Sequence, residues 1–510
     1  MRSEKIVEYF DTESLKGDIK NRAVRSGGAM LLSRTANLII GMAGTIVLAR
    51  LLTPKDFGMV AMVTAFSLLL FNVGLNGFTE AIIQKKEITH QQVSTIFWIG
   101  IAISASLAII FSLCSPLLAR FYNEPRLIKI SIVFSVGFVF SALATEHLAL
   151  IMRSMKFQKI MVNEIAVGVI SVALAIWMAK SGFGYWAIVV RQVSVPIMGA
   201  TIAWLQCPWR PGLPARDPEI RPLMKFALNT FGYFTMDYFS RNLQKILLGW
   251  KWGSQELGNY DRSYQLFMLP MNQLTVPLSS VALAALSRLH NDLEKYRIFY
   301  TKSIASLSFI GFLLSAIMTV TGQDIILFLL GPQWQTAGQI FAALGPAIGI
   351  TLLNGTIGWL HLSQGNPSRY LKWGIAAFIF STISIIAGLP FGALGVAISY
   401  SLSFYILIWP GIWFAGKPVG IRISHIWKAI WRFILAAALS GFSTWLIIEQ
   451  IWPVHTFLAH VHVLARILLM AGTCTLFYLA SIIILYGGIA PILDIWRMLK
   501  LMMPGQKISL

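Results

Sequence analysis

Charge is scarce in this sequence. Asp, Glu, Lys and Arg make up 12% of its 510 residues, against ~25% in soluble domains. So few charged side chains cannot cover the surface of a water-soluble protein of this length, which excludes an ordinary soluble fold. Cysteine is nearly absent. Cys114, Cys207 and Cys474 lie far apart and none has metal-ligand spacing, so neither a disulfide framework nor a metal site is expected. The chain has no Gly-x-x-x-x-Gly-Lys-[Ser/Thr] loop for ATP, no HExxH and no GxSxG. It also has no extramembrane stretch large enough for a nucleotide-sugar domain. An ATP-driven exporter in one chain and a glycosyltransferase are both disfavoured, and no cofactor or catalytic residue is expected.

What the chain has instead is apolar length. Hydrophobic residues make up 56%, with a mean hydropathy of +0.69. They come in runs of roughly 20 residues, the length a helix needs to cross a hydrocarbon core of about 30 Å. Barrel strands need only about 10 alternating residues and do not match. The expected fold is therefore all-α and polytopic, with about fourteen spans near 28–52, 57–79, 95–115, 127–149, 161–180, 184–205, 223–250, 257–287, 302–322, 336–361, 371–389, 391–415, 428–450 and 464–486. The seventh and eighth are interrupted by Asp237, Arg241, Lys245 and Arg262, and twelve spans remain an alternative.

The net charge of +20 reflects loop composition rather than nucleic-acid binding. Loops with Lys85 and Lys86, with Arg153, Lys156 and Lys159, and with Arg210, Arg216 and Arg221 alternate with poorer loops near 180–184, 323–333 and 389–391. The loop near 116–129 is the exception, with Arg120, Arg126 and Lys129. The basic set shares a side with the charged residues 1–27, so both termini are expected in the cytoplasm. The expected organisation is a tail at 1–27, a lobe at 28–205, a Pro- and Arg-rich linker at 206–222, a second lobe at 223–415, two further helices at 416–490 and a tail at 491–510.

The two lobes share a pattern. Pro54-Lys55-Asp56-Phe57-Gly58 has a counterpart 200 residues later in Ser254-Gln255-Glu256-Leu257-Gly258, and Phe183-Gly184 matches Phe391-Gly392. An even number of spans per unit makes such repeats parallel, which suits alternating access about a cavity between lobes. A good turn and helix start would also place an acid and a glycine there.

The stretch Leu48–Gly58 resembles the first hairpin of Wzx-type polysaccharide flippases, in the polysaccharide transport branch of the multidrug/oligosaccharidyl-lipid/polysaccharide exporter superfamily. Phe121-Tyr122-Asn123-Glu124-Pro125, Arg153-Ser154-Met155-Lys156-Phe157, Gly182-Phe183-Gly184-Tyr185-Trp186-Ala187 and Leu330-Gly331-Pro332-Gln333-Trp334 are similar to later segments of that family, in the same order. The likeness covers roughly residues 20–480 and leans to the colanic-acid or exopolysaccharide type. It implies a bacterial inner-membrane protein that moves undecaprenyl-pyrophosphate-linked repeat units to the outer leaflet. The implied partners are this lipid-linked oligosaccharide, membrane lipids, and a polysaccharide polymerase and chain-length regulator, with no nucleic acid.

Such cargo meets a steep desolvation barrier, so ionisable residues inside spans mark its path. Asp237, Arg241 and Lys245 fall at i, i+4 and i+8 on the seventh span and form one stripe. Arg34, Arg191 and Arg262 are further candidates, because the guanidinium fork suits pyrophosphate. An internal Asp237–Arg241 pair, snorkelling of Arg34 and a local Asp261–Arg262 pair are the plainer readings. Glu80, Glu146, His147 and Glu164 are weaker candidates for ion coupling.

Three functions compete: the flippase; a peptidoglycan-precursor flippase or drug antiporter of the same superfamily; and a polymerase or ligase. The basic stripe favours an anionic headgroup over a cationic drug, and the short loops disfavour the enzyme. Alkaline phosphatase fused after residue 330 should be active and the same fusion after residue 158 inactive. The reverse pattern would invert the topology.

Overall fold

The computed structural model describes residues 9–10, 19–73, 79, 82–83, 88–215, 220–450, 462–490 and 493; within its helices, the side chains of 19–25, 69, 71–73, 220–237, 239–241, 276–277 and 449–450 are not described. No strand occurs among the described residues. The helices are α1 (Ile19–Leu51), α2 (Pro54–Val73), α3 (His90–Tyr122), α4 (Leu127–Arg153), α5 (Phe157–Lys180), α6 (Trp186–Gln206), α7 (Ile220–Arg288), α8 (Leu293–Leu330), α9 (Gln335–Leu344), α10 (Ala347–Ser363), α11 (Pro367–Gly388), α12 (Gly392–Gly416), α13 (Ile423–Gln450) and α14 (Val463–Tyr486).

Among the described residues, ten helical segments are long and apolar enough to cross a membrane, or eleven when the bent pair α9–α10 is taken as one span. The expected count of fourteen is not reached in this way. Part of the difference is merging. Residues 367–419 count as one segment but comprise α11 and α12, joined by a 3₁₀ turn at Leu389–Phe391. Helix α7 is itself two helices across a kink at Gly253 (φ 78°, ψ −173°). Pro346 sits at the break between α9 and α10, where the axis turns by 53°.

By packing, the chain forms two units, residues 1–258 and 259–510. In the first, α4 packs between α3 and α6, and α5 packs against α1 and α6. In the second, α8 is central and packs against α9, α10, α13 and α14, while α12 packs on α10 and α11. Tyr296, Tyr300, Phe312, Leu360, Ile412 and Tyr478 belong to that unit's core.

Capping explains several helix starts. Thr89 opens α3 with a capping box: its hydroxyl accepts from Gln92 N (3.2 Å), and Gln92 Oε1 accepts from Thr89 N (3.3 Å). At α2, Asp56 Oδ2 accepts from Thr53 N (2.9 Å) and Thr53 Oγ1 (2.7 Å), with Pro54 at the first helical position. In the turn between α3 and α4, Arg126 donates to both carboxylate oxygens of Glu124 (2.8 and 3.1 Å). These bonds hold the Glu124 carboxyl below its ordinary range. One positive charge of that exceptional loop is thus neutralised in place.

Residues 207–215, part of the expected linker, are non-helical and packed onto α3. Trp209 is fully buried. Gly212 N donates to Ser94 Oγ (2.9 Å), Trp98 Nε1 to Gly212 O (2.9 Å) and Ala215 N to Thr95 Oγ1 (3.1 Å). Pro208, Pro211 and Pro214 prevent this stretch from being a helix, so α3 side chains supply partners that a helix would have supplied internally.

The repeated motifs meet inside the first unit. A Cβ added at Gly58 would lie 1.7 Å from the Ser254 carbonyl oxygen, and one at Gly258 would lie 1.8 Å from that of Pro54. The contact is reciprocal at the 200-residue offset, with backbone on backbone, and only glycine permits it at either position. Gly58→Ala or Gly258→Ala should therefore destabilise the purified protein by about 1–3 kcal/mol. Gly199→Ala, with nothing within 4 Å of the added carbon, should leave the thermal midpoint unchanged. Equal midpoints for all three variants would contradict the contact.

Candidate functional site

Each unit carries its own polar clusters within apolar helices. In the first, α1 and α5 form one. Ser33 Oγ donates to Glu164 Oε2, and Asn37 Nδ2 donates to the same oxygen (3.3 Å). Ser33 is 3% exposed, whereas Glu164 and Arg34 are exposed. Among the described residues no hydrogen bond or ion pair holds Arg34. A carboxylate on α5 fixed by two neutral donors and an exposed guanidinium on α1 place both signs of charge on apolar helices. This neighbourhood was not grouped from the sequence, because Ser33, Asn37 and Glu164 lie on helices 127 or more residues apart.

Arg191 is half-buried in the second turn of α6, where its carbonyl accepts from Ser194 Oγ (3.0 Å). Lys245 is half-buried on α7. The side chains of Asp237 and Arg241 lie outside the described residues, as does Glu80; the α7 backbone is helical through 237 and 241.

In the second unit, Arg262 Nη2 pairs with Asp261 Oδ2 at 2.6 Å, and Gln265 Nε2 donates to the same oxygen at 3.0 Å. Asp261 is 3% exposed and Arg262 half-buried. The local-pair reading of Arg262 is therefore the observed geometry. The pairing offsets part of the cost of desolvating both charges within the apolar helix.

A cavity of about 690 Å³ in the second unit was not anticipated. It lies among α8, α12, α13, α14 and the break at Pro346, with Phe312, Tyr405, Phe442 and Trp445 on its walls. Its charged lining is an Asp324–Arg466 ion pair between α8 and α14. The available signal was one Asp near the end of an apolar helix and one Arg near the start of another, 142 residues apart. Spacing alone does not join them. No group of three or more His, Cys, Asp or Glu residues able to hold a metal occurs among the described residues.

A family of polysaccharide biosynthesis proteins matches residues 47–339, more than half of the chain. The chain belongs to that family. Lipopolysaccharide biosynthesis protein WzxC of Escherichia coli (strain K12) is 21% identical over 73% of this chain and 78% of its own length. Teichuronic acid biosynthesis protein TuaB of Bacillus subtilis (strain 168) is 21% identical over 71% and 76%. Succinoglycan biosynthesis transport protein ExoT of Rhizobium meliloti (strain 1021) is 20% identical over 72% and 75%. The Wzx-type resemblance thus holds, and the protein is a multi-pass membrane transporter of polysaccharide biosynthesis.

Its fold is that of the exporter superfamily. The inward closed conformation of the lipid II flippase MurJ superposes with a TM-score of 0.70 at 15% identity, covering 91% of this chain and 99% of that one. An inward-facing multidrug resistance MATE family transporter gives 0.57 at 13%, covering 77% and 96%.

The Asp324–Arg466 pair yields a double-mutant test. Arg466→Ala and Asp324→Ala should each destabilise the protein, and the double variant should recover about 0.5–3 kcal/mol of their summed loss. Simple additivity in thermal unfolding of the purified protein would show the pair to be energetically idle.

Proposed function

We propose that this protein flips undecaprenyl-pyrophosphate-linked oligosaccharide repeat units from the cytoplasmic to the periplasmic leaflet of the inner membrane. In this reading both termini face the cytoplasm. The family match over residues 47–339 carries the proposal. Cationic side chains on apolar helices support it: Arg34 is exposed, while Arg191, Lys245 and Arg262 are half-buried.

The chemistry follows from the cargo. A pyrophosphate and several sugars must pass through hydrocarbon while the polyprenyl tail stays in it. Guanidinium groups lower that barrier by replacing water around the phosphates with paired hydrogen bonds. Amides such as that of half-buried Asn37 offer partners for sugar hydroxyls. In the proposed path Arg34 meets the headgroup from the inner leaflet. Arg241, Lys245 and Asp237 of α7 contact it next, with Arg191 and Arg262 as further cations. A polymerase and a chain-length regulator would consume the flipped units.

Depletion of the protein tests the reading. Lipid-linked oligosaccharide should accumulate in the inner leaflet with none outside. Single flipped units accumulating in the outer leaflet would point to a polymerase or ligase step, and unchanged pools would favour export of another cargo. Arg34→Ala and Arg241→Ala should each lower polysaccharide export about tenfold at unchanged protein level, the equivalent of ~1.4 kcal/mol from one charge-assisted contact. Normal export by either variant removes that residue from the path.

A further inference from the structure

We infer that Glu146, in the seam between α3 and α4, is a proton-carrying site that is loaded from one side of the membrane and emptied to the other as cargo moves. The inference rests on the flippase reading above and adds its coupling. Three other described carboxylates on apolar helices are engaged: Asp261 by Arg262 and Gln265, Asp324 by Arg466, Glu164 by Ser33 and Asn37. Glu146 differs. It is 1% exposed, and its Oε2 has no hydrogen-bond partner. Its Oε1 faces the α3 backbone, 3.6 Å from where a Cβ of Gly100 would stand. No ion pair among the described residues includes it.

An ionised carboxylate in that position would be unpaired and cut off from water, which is far costlier than holding a proton. The group is therefore neutral here. Glu146 presents an oxygen that no described group bonds, and a rearrangement that brings water or a base to it would let its proton leave.

The seam has the order of polar and apolar groups that a gated proton path needs. Toward the turn joining α3 and α4, Ser112 Oγ and Ser135 Oγ are hydrogen-bonded at 2.8 Å, with Ser115 and Ser131 buried nearby in sequence. Next come the rings of Phe111 and Phe138, 5.6 Å apart, which interrupt the hydroxyls. Buried Ser104 on α3, one turn from Gly100, leads to Glu146. On the far side His147 is fully buried and stacked on Trp204 at 4.5 Å, with Trp209 at 5.0 Å.

Among the described residues, few other charges bear on the site. Helix α2 has no acid or base after Asp56, and α3 has no acidic or basic side chain between His90 and Arg120. Helix α6 contributes only Arg191, near its opposite end. On α5, Lys159 bonds Tyr9 and the Gln206 carbonyl, Glu164 bonds α1, and Lys180 is at the far end. Arg210 stands over Trp204 at 5.0 Å, on the His147 side. On α4 itself, Lys129 and Arg153 lie at the two ends.

The test follows labelled lipid-linked repeat units into the outer leaflet of spheroplasts, read by an impermeant glycan oxidant, with and without nigericin to collapse the pH gradient. Nigericin should slow the wild type several-fold. Glu146→Gln, at wild-type membrane level, should be slow and indifferent to nigericin, whereas Glu146→Asp, which keeps the carboxyl, should still respond. A wild type indifferent to nigericin, or a glutamine variant that responds as the wild type does, overturns the site. No outer-leaflet label even in the wild type strikes the flippase reading instead. If the glutamine variant fails to accumulate, infrared spectra of the purified wild-type protein in lipid read the same group. A protonated-carboxyl band at neutral pH is then expected, and its absence overturns the proposal.

Discussion

Hydrocarbon offers no hydrogen-bond partners, so each polar group in the spans has to find one inside the protein or give up its charge. The backbone meets this demand by forming helices. Hydroxyls meet it by bonding carbonyls one turn back, as Thr64 does to Val60 O, Ser308 to Ile304 O and Thr321 to Ile317 O. Carboxylates meet it through other helices or through a neighbouring arginine: Ser33 and Asn37 for Glu164, Arg466 for Asp324, Arg262 for Asp261. Even the non-helical stretch 207–215 obeys it, borrowing Ser94 and Thr95 from α3.

The same constraint sorts paired charges from unpaired ones. A group such as Asp261 has been neutralised by the fold, which holds its arginine at a fixed place. An exposed cation such as Arg34 has a hydrated or ligand-bound state as its natural resting condition. Glu146 falls in neither class, which is why it stands apart. The cavity bounded by α8, α13 and α14 combines aromatic walls with one ion pair, an environment in which an amphipathic molecule finds both kinds of contact.

Much of the membrane architecture was legible in the chain. Apolar run length predicts each long helix, because the run must match the bilayer. The bend between α9 and α10 falls at Pro346, which cannot donate the bond that would straighten it. The acid–apolar–glycine repeat was legible as a pattern, but its meaning was not. Only the backbone approach of Gly58 to Ser254, and of Gly258 to Pro54, explains why glycine stands at both positions. The candidate site was less legible. Arg262 sits beside Asp261, so its pairing is a matter of local sequence, whereas the partners of Glu164 and Asp324 come from distant helices.

Composition and periodicity by themselves determined that this chain is helical and spans a membrane many times, since those properties depend on the solvent around each segment and not on its neighbours. Tertiary structure decided which charges are neutralised, where a cavity remains, and that one oxygen of a buried carboxyl has no partner among the described residues. Those outcomes depend on which helix faces lie against one another, and residues 127 to 142 positions apart meet only after the helices have packed.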